Sequence, residues 1–74
     1  MITVEQLRMA RAALGWSTRE LCELTGLHRN TISNIENGRE LRLSTLGLLR
    51  KVFEEHGLEF IPKNGGGQGV RFKE

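Results

Sequence analysis

Apolar residues recur at every third or fourth position through most of this chain, and at every second position near its end. In the first stretch Leu7, Ala10 and Leu14, then Leu21 and Leu24, then Ile32 and Ile35, then Leu46, Leu49 and Phe53 keep helical spacing. Such stripes bury one face of an amphipathic helix, and together they supply one shared core. The spacing predicts helices over 4–14, 18–25, 29–37 and 45–56. Their starts carry a repeated signature. Thr3-Val-Glu-Gln6 and Ser17-Thr-Arg-Glu20 are capping boxes, in which the hydroxyl accepts from the third helical amide while Gln or Glu reaches back. Hydrophobic staples accompany them, Ile2 with Leu7 and Trp16 with Leu21. The same spacing recurs with His28 as cap (Leu27 with Ile32) and with Ser44 as cap (Leu43 with Leu48). Gly15, Gly26, Gly38 and Gly57 each follow the last periodic residue, where a left-handed residue closes a helix.

After Gly57 the period falls to two. Leu58-Glu-Phe-Ile61 and Val70-Arg-Phe-Lys73 alternate as strands do, Pro62 ends the first, and the glycine-rich segment from Lys63 to Gly69 makes the turn. The expected hairpin places Leu58, Phe60, Val70 and Phe72 on one face and Glu59, Arg71 and Lys73 on the other. An isolated hairpin is marginal in water, so it must pack on the helices or join another sheet. The expected fold is mainly α: a compact four-helix domain over 1–57, followed over 58–74 by a C-terminal β-hairpin that serves as a dimerisation element.

Composition narrows the function. At 74 residues the chain is one domain near the lower limit for a core without disulfides. The single cysteine, Cys22, excludes an internal disulfide and suits a reducing cytoplasm; it reads as a small buried hydrophobe. His28 and His56 stand too far apart to suggest a metal site, and no cofactor is expected. Glu5, Arg8 and Arg11 break any signal-peptide pattern, and no apolar run reaches membrane-spanning length. The glycines at 65–69 lack the Lys-Ser/Thr of a phosphate loop and open no helix. With no nucleophile–base set and no acidic pair, the chain is not expected to be an enzyme. The net charge of +2 is only mildly basic, but Arg19, Arg29, Arg39 and Arg42 gather in and beside the second and third helices.

Those two helices carry the chemistry. Only Gly26, Leu27 and the cap His28 separate them, the short glycine-containing turn of a helix-turn-helix. Such packing presents the first turn of the third helix outward, toward a major groove. Ile32 and Ile35 turn inward, leaving Arg29, Asn30, Ser33 and Asn34 exposed. Arginine pairs bidentately with guanine and asparagine with adenine.

Over about residues 4–56 the chain resembles the phage-repressor and Cro-like (XRE-type) helix-turn-helix family. The likeness runs through Leu7-Arg8, Arg11, Leu14-Gly15, Ser17, Glu20-Leu21, Gly26-Leu27, Thr31-Ile32-Ser33, Ile35-Glu36, Gly38 and Thr45-Leu46. It implies a lambda-repressor-like domain from a bacterium or phage. It assigns base reading to Arg29, Asn30, Ser33 and Asn34, and phosphate contacts to Thr18, Arg19, His28, Asn37, Arg39 and Arg42. It also implies an ion pair, largely buried, between Arg11 and Glu36. Thr18 stands where the family usually has Gln, and His28 where it has a small hydroxyl cap.

The function expected is a sequence-specific transcriptional regulator, a repressor, binding a pseudo-palindromic operator in double-stranded DNA as a homodimer. One recognition helix reads too few base pairs for genomic specificity, whereas two placed a helical turn apart suffice. Strand edges invite a second copy, so Phe60, Ile61, Val70 and Phe72 are the expected dimer interface. No membrane or small-molecule partner is expected, and the location is cytoplasmic, on the nucleoid. Two rival readings are the antitoxin of a toxin–antitoxin pair, which binds both DNA and a toxin protein, and a protein-interaction adaptor without DNA binding.

Overall fold

The computed structural model describes residues 2–39 and 42–73. Four helices precede one hairpin: α1 (Val4–Leu14), α2 (Thr18–Thr25), α3 (Arg29–Glu36), α4 (Leu43–Glu55), β1 (Leu58–Ile61) and β2 (Gly69–Phe72). The strands are antiparallel, with Leu58 opposite Phe72, Glu59 opposite Arg71, Phe60 opposite Val70 and Ile61 opposite Gly69.

Local chemistry accounts for most boundaries. Both capping boxes form, Thr3 with Gln6 and Ser17 with Glu20. His28 caps α3 through Nδ1, which accepts from the Asn30 amide at 3.1 Å. Gly15 and Gly26 close α1 and α2 with φ of 67° and 76°, a conformation that a side chain would strain. The expected start of α4 is different. The helix begins at Leu43 after Arg42, which makes no side-chain cap, and Ser44 lies inside the first turn. Leu43 is 66% exposed and Leu48 36%, so the staple does not close. The stripe of α4 that meets the core is Leu46, Leu49, Val52 and Phe53, and Leu43 lies one turn before it.

The core gathers Ile2, Leu7, Ala10, Leu21, Ile32, Ile35, Leu46, Leu49, Phe53, Leu58 and Phe60. Leu24, expected inside, is exposed. On α2 the inward side is Leu21 with the half-buried Cys22 and Thr25, which rotates Leu24 to solvent. Trp16 stacks on Phe53 with centroids 5.3 Å apart, His56 meets Trp16 edge-on, and Phe60 meets Phe53 at 6.2 Å. The hairpin is therefore part of this core. Its inner face descends from buried Leu58 and Phe60 through half-buried Val70 to Phe72, which is 61% exposed. On the outer face Arg71 Nε donates to Glu59 at 2.9 Å.

Gln6 ties the hairpin to the helices. It is the buried polar residue of the described core, at 3% exposure. Its oxygen accepts from the Thr3 amide, while Nε2 donates to the carbonyls of Ile61 and Gly69 at 2.9 and 3.0 Å. Burying an amide stabilises only when its hydrogen bonds are made, and here they are. Among the described residues no helix is long and apolar enough to cross a membrane.

Candidate nucleic-acid interface

α3 is anchored by Ile32 and Ile35, at 1% and 2% exposure, which turns its other side outward. Arg29, Asn30 and Ser33 are exposed, whereas Asn34 is half-buried. The Asn34 carbonyl accepts from the Arg39 amide at 2.8 Å, which folds the following loop back against the helix. The first turn of α3 is thus the freest part of its outer face. His28 spends Nδ1 on its cap, and the residue stands exposed at the entrance to α3.

The residues expected to meet phosphates divide into two groups. Thr18 lies at the start of α2 beside α3, half-buried, with its hydroxyl accepting from Arg11 Nη1 at 2.7 Å. An oxygen so engaged leaves its own proton free to donate. Arg19 is exposed on the next position of α2. The second group surrounds the end of α3. Asn37 turns Nδ2 back onto the Ser33 carbonyl at 2.9 Å, and Arg39 and Arg42 are exposed at either end of the loop that leads to α4. Arg42 also shares a small recess with Thr31, Ile35 and Thr45.

Between the groups lies an open cleft of about 670 Å³, lined by Arg8, Arg11, Thr18, Arg29, Ser33, Glu36 and Asn37. Arg11 Nε stands 3.2 Å from Glu36, with side-chain exposures of 28% and 17%. The pair is therefore largely buried, as the resemblance implied, with its outer edge still partly solvated. Beside it, Arg8 donates through Nη2 to the Glu36 main-chain carbonyl at the end of α3. A cation there also meets the negative end of the helix dipole. Pattern reading missed Arg8 because its partner is a carbonyl 28 residues away, which no side-chain motif reports.

The residues expected to form a dimer contact do not share one environment. Phe60 is 6% exposed and committed to the core of its own chain, Ile61 and Val70 are half-buried, and Phe72 presents its ring to solvent. Among the described residues Glu20 is the carboxylate whose protonation clearly departs from the ordinary: hydrogen bonds from the Ser17 amide and hydroxyl lower its pKa. It is fully exposed, and its role is to cap α2.

Residues 7–60 match a family described as helix-turn-helix, a span that includes every helix but the first turn of α1 and most of β1. No curated protein matches the chain.

Proposed function

The chain belongs to the phage-repressor and Cro-like (XRE-type) helix-turn-helix family of DNA-binding transcription regulators, and from that premise we propose that it is a sequence-specific repressor acting as a homodimer. The observation that carries this reading is the first turn of α3. Arg29 and Asn30 are exposed there on a helix whose other face is locked into the core by Ile32 and Ile35. Arg29, Asn30, Ser33 and Asn34 read base edges in the major groove. Thr18, Arg19, His28, Asn37, Arg39 and Arg42 hold the flanking phosphates, fixing register without reading sequence. Two copies related by a two-fold axis meet through the hairpin, with Phe72 and Val70 supplying apolar contact around the strand edge. Occupancy of a pseudo-palindromic operator then blocks transcription.

Selection from random duplex DNA at two salt concentrations tests this reading. The expected product is a palindromic consensus with half-sites about 10 base pairs apart. Binding without any enriched sequence would refute sequence-specific regulation, and a single unpaired half-site would refute the homodimer.

A further inference from the structure

We propose that the cleft between α1 and the outer side of α3 holds a phosphodiester group of the DNA backbone, and that Arg8 is the residue that binds it. This inference rests on the DNA-binding reading and adds a contact from α1. Residues Arg29, Ser33 and Glu36 follow helical spacing along one side of α3, Asn37 stands just past its end, and the cleft runs beside them. Its opposite wall is Arg8 and Arg11 from α1, with Thr18 at the start of α2. Three guanidiniums thus face one carboxylate. That carboxylate, Glu36, is already matched by Arg11, whose Nη1 is also occupied by the Thr18 hydroxyl. Among the described residues Arg8 has no carboxylate partner. Its Nη2 is fixed on the Glu36 carbonyl, which orients the planar fork while its other N–H groups stay free. An exposed, oriented guanidinium beside a positively charged cleft suits a phosphate, which accepts parallel hydrogen bonds from such a fork. Arg29 borders the same cleft, so a phosphate held by Arg8 lies along the path of the base-reading turn.

The competing role for Arg8 is purely structural, as a cap on the carbonyl end of α3. Arg8→Ala and Arg8→Lys, measured on the selected operator and on random duplex across a salt series, separate the two. The expected result is that Arg8→Ala weakens both duplexes by a similar several-fold factor and lowers the log–log salt slope by about 0.9, one released counterion. Arg8→Lys keeps the charge and restores the slope. An unchanged slope for Arg8→Ala, with any loss of affinity tracking a lower Tm, would overturn the proposal in favour of the cap. Wild-type protein that binds neither duplex would instead overturn the DNA-binding reading itself. Inorganic phosphate, titrated onto DNA-free protein and followed by the Arg8 side-chain Nε resonance, separates the two sources of this anion. Weak, unsaturated shifts are expected, and tight saturable binding would overturn the backbone assignment in favour of a free-anion site.

Discussion

Gln6 donates to the Ile61 carbonyl at 2.9 Å, so a side chain in the first turn of α1 holds the end of the first strand of the hairpin. The same carboxamide closes the Thr3 capping box and reaches Gly69 on the second strand. One buried residue thus joins the start of the chain to the turn end of both strands. Gln6→Ala abandons these partners together, and a buried acceptor that loses its donor costs about 1–3 kcal/mol. Urea unfolding is expected to show a loss of about 2–3 kcal/mol. Gln6→Glu, which retains the cap but cannot donate to either carbonyl, should rescue little of it.

Arg11→Ala carries two consequences. Removing one member of a buried ion pair costs about 3–5 kcal/mol, whereas an exposed pair is worth about 0–1. With Arg11 and Glu36 partly solvated, the expected loss is about 2 kcal/mol. Thr18 also loses the donor that holds its hydroxyl, so DNA affinity should fall even where the protein is fully folded. Chemical denaturation and binding well below the Tm measure the two effects separately; wild-type stability would refute the structural part.

Base reading and phosphate holding leave different signatures. Arg29→Ala should cost roughly 1–3 kcal/mol on the operator and relax one base position, while Arg42→Ala should weaken every sequence alike and shallow the salt dependence. Equal losses on operator and random DNA for Arg29→Ala would remove it from the base-reading set.

Acid should weaken the start of α2. The folded-state pKa of Glu20 is lowered by its bonds from Ser17, so its contribution to stability is present above the unfolded value of about 4.3 and disappears as the pH falls through the lower folded value. Glu20→Ala is therefore expected to lower the Tm at neutral pH, and the gap from the wild type should narrow on acidification through that range. A gap independent of pH would show that the charge of Glu20 plays no part in the cap.

Phe72 is the place to test dimer formation. Deleting the hairpin would strip Leu58 and Phe60 from the core, at roughly 1.5–3 kcal/mol each, and unfold a small domain before it reported on assembly. Phe72→Glu alters an exposed ring instead. Sedimentation is expected to show a folded monomer with reduced operator affinity, and an unchanged dimer would place the interface elsewhere.

What the chain determined alone is whatever depends on neighbours within about a helical turn. The caps at Thr3 and Ser17, the closing glycines, the turn from Gly26 to His28 and the exposure of Arg29 and Asn30 are of this kind, because their partners lie within three or four residues. The cap expected at Ser44 failed because periodicity marks a helix but not which of two adjacent starts the core accepts. Leu24 was misplaced for a related reason: on an eight-residue helix, two stripes fit the spacing and only packing selects one. Tertiary structure alone decided that Gln6 holds the hairpin, that Arg8 meets the end of α3, and that Phe60 belongs to the core. The distant partners of Gln6 and Arg8 lie 28 to 63 residues away, and all three residues act through main-chain carbonyls or burial, which carry no side-chain signature. Local hydrogen bonding and periodicity write the elements into the sequence, while the approach of distant backbone becomes visible only once the core has closed.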